Sequence, residues 1–287
     1  MTVDEECEMY GSKPQPVANM PAALQDHEAA QILSTRAMVG RALAEGQVCV
    51  VYQPIIDAKR PNHVAFYEAL IRLRASSGEL IAPGQFLPAV AGTSLAAELD
   101  CAALEFALAE LQREPTVRIS VNIAAASLDS NEWIDTLRAC TDDHPEVAFR
   151  LIVEVTEDAG ILDHPQCASF LAELHGMGVS IALDDFGAGA TGFSHFRSHR
   201  FDIVKIDGSF GDGLYKDPDA QVLVKALLEI SKHFEMMTII EYIDNPADAA
   251  CAMRLGVDAM QGFLFGRPSE TMVRPGMSDD DRLKGTG

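Results

Sequence analysis

The chain has 287 residues, 48% of them apolar, and a formal net charge of −21 at pH 7. That apolar content is enough to bury one large core, so a single domain of barrel size is expected. The negative balance argues against binding nucleic-acid polymers or anionic membranes, which require clustered Lys and Arg.

Residues 1 to about 28 carry Pro14, Pro16 and Pro21 among small and polar residues and are expected to form a flexible leader. The acidic start (Asp4, Glu5, Glu6, Glu8) lacks the basic residues and apolar stretch of a signal peptide, and no apolar run reaches membrane-spanning length. Cys7, Cys49, Cys101, Cys140, Cys167 and Cys251 include no C-x-x-C pair, so neither a zinc ribbon nor a disulfide framework is indicated. A soluble protein in a reducing cytoplasm is the expectation.

From residue 29 the periodicity predicts a helix over 29–45, strands over 47–57 and 63–74, and helices over 84–91 and 95–113. Further strands follow over 117–123, 149–156, 180–185, 202–207, 237–243 and 259–265, separated by helices over 130–141, 164–177, 217–235 and 246–255. Residues 273–287 form a polar tail, which leaves 29–272 as the working domain. Alternating strands and helices indicate a mainly parallel α/β sheet, and eight strands favour closure into a (β/α)8 barrel. Only Ala58 to Asn62 separate the first two strands, too few residues for a parallel crossover, so that pair is expected to run antiparallel.

Acidic or amide residues recur where these apolar strands end: Glu68, Asn122, Glu154, the pair Asp184-Asp185, and Glu241, with Lys205 among them. A lone buried carboxylate costs several kcal/mol unless it is paired or bound to metal, so a series of them points to one pocket. Hard divalent cations want the oxygen ligands that this set supplies. Taken alone, Asp184-Asp185 could cap a helix. Gly187, Gly189 and Gly192 spell G-x-G-x-x-G, but the two aspartates before them would repel a pyrophosphate. His195 and His199 are spaced H-x-x-x-H without the glutamate of H-E-x-x-H, and all eight histidines are read as structural or surface residues.

Tyr52-Gln53-Pro54-Ile55 followed by Glu68-Ala69-Leu70-Ile71-Arg72 resembles the opening of the EAL family of cyclic di-GMP phosphodiesterases. The resemblance continues in order through Ser120-Val121-Asn122, Glu154-Val155-Thr156-Glu157, Asp184-Asp185-Phe186-Gly187-Ala188-Gly189, Lys205-Ile206-Asp207, Glu241 and Gln261-Gly262. It implies a modified TIM-like barrel with an antiparallel first strand. It also implies hydrolysis of cyclic di-GMP to the linear dinucleotide with two Mg²⁺ or Mn²⁺ ions, which would clamp an in-line displacement.

By resemblance, Glu68, Asn122, Glu154, Asp184, Asp185 and Glu241 are metal ligands, and Glu241 is also a proton acceptor. Lys205 sits beside the attacking water, where its cation steadies developing charge. Arg72 suits bidentate phosphate recognition. Gln53, Leu70 and Gln261 line the substrate pocket, and Glu157 anchors the loop after Asp185. A homodimer is the family's common arrangement and an expectation here.

The chain departs from the family pattern at Leu73, where an aromatic residue is common, and at Tyr242-Ile243, where Gly-Val is usual. It departs again at Asp244, in place of a second glutamate, and at Ala190-Thr191-Gly192-Phe193, in place of Tyr-Ser-Ser-Leu. None of these removes a ligand. A cyclic di-GMP receptor without turnover, and a protein-interaction module that has lost the ligand, are the alternatives. The complete carboxylate set with Lys205 favours the enzyme.

Overall fold

Two long strands, β1 (Val48–Asp57) and β2 (Val64–Arg74), open the sheet as an antiparallel pair in register from Val48↔Leu73 to Pro54↔Tyr67 and Ile55↔Phe66. Asp57 fixes the turn between them, its Oδ1 accepting from the backbone N–H groups of Lys59 and Arg60. The computed structural model describes residues 22–156, 160–188, 193 and 195–272, with side chains from residue 27 onward. The leader up to residue 21, the tail over 273–287, Glu157 and the loop residues 189–192 and 194 lie outside the described residues.

After the two-residue strand β3 (Leu80–Ile81), six strands run parallel to one another: β4 (Ile119–Asn122), β5 (Leu151–Thr156), β6 (Ser180–Phe186), β7 (Ile203–Ile206), β8 (Met237–Ile240) and β9 (Ala259–Gln261). β2 pairs parallel with β4, and β1 pairs antiparallel with both β2 and β9. The sheet therefore closes on itself as an eight-stranded barrel whose first strand is inverted, as the sequence predicts, with β3 as an appendage on β2.

Two helices start where the sequence supplies both a cap and a preset φ. Asp217 and Asn245 accept from the first free N–H groups of helices Pro218–His233 and Pro246–Leu255, and a proline occupies each first turn. The helix expected over 84–91 is broken into a 3₁₀ turn, Pro83–Gln85, and a short helix, Leu87–Val90. Pro83 and Pro88 each suit a first turn and neither suits a helix interior. At the N-terminus the first helix already begins at Ala22.

The main core lies between the strands and the surrounding helices, around fully buried residues such as Trp133, Leu104 and Val153. A separate apolar cluster fills the barrel interior: Ile55, Phe66, Ile152, Ala182, Ile203, Ile239 and Ala259. Because side chains alternate across a strand, the residue two positions further on each of these strands points inward again. That step leads to the site.

Candidate metal and substrate site

Two residues beyond the apolar plug, the inward positions change character on each of the seven strands that form it. Phe66 is succeeded by Glu68, Ile152 by Glu154, Ala182 by Asp184, Ile203 by Lys205, Ile239 by Glu241 and Ala259 by Gln261. On inverted β1 the step from Ile55 runs back to Gln53. Gln53, Glu68, Glu154, Asp184, Lys205, Glu241 and Gln261 are all buried.

Lys205 is the hub. Its Nζ lies 2.7 Å from Glu241 Oε1, 2.8 Å from Glu154 Oε2, 3.0 Å from Asp184 Oδ1 and 3.4 Å from Glu68 Oε2. Burial alone would drive the proton off this lysine, but Asp184, Glu154, Glu241 and Glu68 hold it well above its ordinary value. Glu68 is also held by amides: Gln261 Nε2 donates to its Oε2 at 2.6 Å and Asn122 Nδ2 to its Oε1 at 3.1 Å. Gln261 Nε2 also donates to Gln53 Oε1 at 3.2 Å, and Gln53 Nε2 donates to the carbonyl of Gly266 at 3.3 Å.

One lysine does not balance this ring. Burial and then neighbouring Glu68 push Glu154 up to about 8, and burial and then Asp184 push Asp185 up to about 7. Burial raises Asp184 as well, and it raises Glu241 far above the carboxylate range. In Glu68 burial also opposes ionisation, but Lys205 and the amide donors prevail and keep it below its ordinary value. Glu154 Oε1 is buried and has no hydrogen-bond partner among the described residues. Asp184, Asp185 and Glu241 each offer an oxygen within 4.8 Å of the others. An excess of clustered oxygen donors, one of them orphaned, fits hard divalent cations.

Local backbone geometry makes the cluster possible. In a regular strand Asp184 and Asp185 would face opposite sides of the sheet. The β6–β7 register slips between Leu183 and Phe186, and Asp185 takes φ +56°, a left-handed conformation unusual for a residue with a side chain. Both carboxylates are thereby delivered to the neighbourhood of Glu241. Tyr242, after Glu241, sits at φ +55°. This is the position where the family usually has glycine, so here a tyrosine carries the backbone cost, about 1–2 kcal/mol.

Among the other predicted residues, Leu70 and Arg72 are both buried; they share the Glu68 face of β2, and Arg72 Nη1 donates to the carbonyl of Ile71 at 2.8 Å. Glu68 lies inside β2 and not at a strand end: the strand runs to Arg74, as predicted over 63–74, because its second half pairs with β1 beyond the parallel part of the barrel. The capping alternative for Asp184-Asp185 gives way, since both lie within β6. His195, in the short helix His195–Ser198, stacks at 6.2 Å on His199 just past its end, and His199 Nε2 donates to the carbonyl of Leu162.

Two contributors escaped the sequence reading. Asp244 Oδ1 accepts from Phe263 N at 2.7 Å, and Ile243 N donates to Gln261 O at 2.9 Å, so the departing segment after Glu241 tethers the loop that follows Gln261. Asp100, on helix Ser94–Arg113, accepts from Ala124 N at 2.7 Å and Ser127 Oγ at 2.6 Å, fastening the chain just after Asn122. A lone aspartate within an amphipathic helix gives no sign of this role.

Comparison with known proteins agrees with the geometry. The EAL domain family model matches residues 36–268. The chain is 30% identical over 237 residues to the bifunctional diguanylate cyclase/cyclic di-GMP phosphodiesterase MucR of Pseudomonas aeruginosa, covering 79% of this chain and 34% of MucR. It is 27% identical over 232 residues to the cyclic di-GMP phosphodiesterase PdeF of Escherichia coli K12, covering 79% of this chain and 31% of PdeF. The chain thus spans about a third of the length of these relatives. Among solved structures, the PaMucR phosphodiesterase in complex with c-di-GMP superposes with a TM-score of 0.74 at 28% identity, covering 82% of this chain and 97% of that one. No described helix is long and apolar enough to cross a membrane. With the barrel, the inverted first strand and the ordered motif blocks all in place, the chain belongs to the EAL domain family.

Proposed function

We propose that this chain hydrolyses one phosphodiester of cyclic di-GMP, yielding the linear dinucleotide, in a reaction that depends on Mg²⁺ or Mn²⁺. The observation that carries the reading is the buried ring of Glu68, Glu154, Asp184 and Glu241 around Lys205, at the end of the barrel where α/β barrels place their chemistry. Glu68, Asn122, Glu154, Asp184, Asp185 and Glu241 are the residues that would hold two divalent cations. Bound there, such cations would activate water and neutralise charge on the phosphoryl oxygens.

The residues then divide the work. Lys205, kept protonated by its carboxylate neighbours, stands beside the attacking oxygen and offsets the charge that develops on it. Glu241 is assigned to accept the proton of that water. As the water oxygen bonds to phosphorus, the bond from phosphorus to the leaving ribose oxygen breaks and that oxygen takes up a proton. Arg72 supplies a planar guanidinium for a phosphate, and Gln53, Leu70 and Gln261 line the pocket for the dinucleotide. Glu157 is assigned to anchoring the loop after Asp185.

A second reading, binding without turnover, draws support from Tyr242, whose strained backbone adjoins Glu241. Purified protein incubated with cyclic di-GMP and Mg²⁺ or Mn²⁺, with chromatography of the products, separates the two. Linear dinucleotide is expected with either ion, none in EDTA, and little with Ca²⁺, whose larger and more flexible shell misplaces the water. Unchanged cyclic substrate in Mn²⁺, alongside calorimetric binding, would establish the receptor instead.

A further inference from the structure

Between β7 and the next helix lies a four-residue helix, Gly208–Gly211, started by Asp207, whose side chain accepts from Ser209 N. It touches both segments that carry the candidate metal ligands. On one side a Cβ at Gly208 would fall inside the ring of Tyr242, and a Cβ at Gly211 would collide with the carbonyl oxygen of Glu241. On the other side Phe210 reaches the segment after Asp185, where a Cβ at Gly187 would lie 2.9 Å from Phe210 Cε2. The two non-glycine residues of this region with positive φ, Asp185 and Tyr242, thus flank the same short helix.

We propose that helix Gly208–Gly211 is a spacer that sets the separation between the Asp184-Asp185 segment and Glu241, with Tyr242 seated on Gly208 as its locking contact. Three features support this. The approach of Tyr242 and Glu241 to the helix is closer than any side chain at 208 or 211 would allow. The tyrosine occupies a backbone conformation that costs free energy, so its surroundings must hold it there. The oxygens of Asp184, Asp185 and Glu241 lie within 4.8 Å of one another, a spacing that a small relative shift of the two segments would lose. Tyr242, Gly208 and Phe210 are therefore positioning residues that act through the carboxylates. The inference rests on the metal-dependent reading of the site.

A double-mutant cycle tests it by titrating Mn²⁺ into the metal-free protein with calorimetric detection, alongside turnover of cyclic di-GMP and thermal unfolding. Tyr242→Gly is expected to weaken Mn²⁺ binding roughly 10-fold, the lower end of the usual effect of residues that orient metal ligands. Gly208→Ala is expected to weaken it more, because its methyl group displaces the ring. In the Tyr242→Gly background the same Gly208→Ala change is expected to cost less than about twofold, since the methyl occupies space the ring has left. Phe210→Ala, on the opposite side of the spacer, is expected to lower Mn²⁺ affinity and to probe the idea independently of the tight glycine.

Additive losses in the cycle, or variants that lose thermal stability while keeping wild-type Mn²⁺ affinity, would overturn the spacer. Wild-type protein that binds Mn²⁺ without hydrolysing cyclic di-GMP would overturn the proposed activity while leaving the cycle to decide the spacer. Wild-type protein that binds no Mn²⁺ would overturn both.

Discussion

Two successive layers of the barrel interior, one residue pair apart along the strands, follow opposite rules. The lower layer, Ile55, Phe66, Ile152, Ala182, Ile203, Ile239 and Ala259, is apolar and closes the barrel like an ordinary core. The upper layer, Gln53, Glu68, Glu154, Asp184, Lys205, Glu241 and Gln261, is equally buried but polar at every position. The same backbone carries both, so strand geometry cannot account for the contrast. The lower layer gains from removing hydrocarbon from water. The upper layer gives up that gain, leaving carboxylates whose mutual repulsion one lysine offsets only in part. Stability and chemistry are thereby assigned to adjacent layers about 7 Å apart, two residues of strand rise.

The sharpest break in this comparison is expected at Glu68 and Lys205. Glu68→Ala should abolish turnover in steady-state assays, whereas Lys205→Ala should lower kcat by about 100-fold or more and leave KM within a few fold, as the role proposed for it in the transition state requires. A Lys205→Ala variant with raised KM and unchanged kcat would remove the distinction between holding substrate and assisting its reaction.

One layer down the pattern should invert. Ile203→Ala, two residues before the lysine on the same strand, is expected to cost about 2–5 kcal/mol in denaturant titrations through the cavity it leaves, with kcat changed only a few fold while the protein stays folded. A kcat loss like that of Lys205→Ala would show that the two layers are not separable.

Smaller effects sharpen the electrostatic half of the contrast. The carboxyl of Glu154 is raised to about 8, so its folded-state proton is held more tightly than in the unfolded chain, and the stability this confers at low pH is lost as pH rises through the folded value. In metal-free buffer Glu154→Gln should therefore be more stable than wild type, by a few degrees in Tm at pH 8 and by much less at pH 5. Equal Tm values at pH 8 would mean that the ring is not under electrostatic load.

The smallest effect is expected outside the ring. Burial raises Asp100 to about 7, and the same sign applies: wild type should lose stability as pH rises from about 4 to 7, whereas Asp100→Asn should show a flatter profile in thermal unfolding. An unchanged profile would free Asp100 from this account.

The contrast between layers was legible in the sequence as far as alternation could carry it. The acidic and amide residues of successive apolar strands, with Lys205 among them, pointed to one pocket. What stayed hidden depends on position without leaving a period. Leu80–Ile81, Pro145–Ala148, His195–Ser198 and Gly208–Gly211 are too short to show a repeat, and the last of these is the element that touches both ligand segments. The tether from Asp100 spans two elements and has no local signature.

The irregularity of β6 also bears on redesign. An engineer idealising this barrel would straighten the strand, giving Asp185 a negative φ and restoring continuous pairing to β7, and every rule of backbone quality would favour the change. The improved strand would turn Asp185 toward the helix layer and leave Asp184 without its neighbour. Thermostabilisation campaigns on this scaffold should hold residues 183–186 fixed, since the defect there is the part of the strand that brings the two carboxylates together.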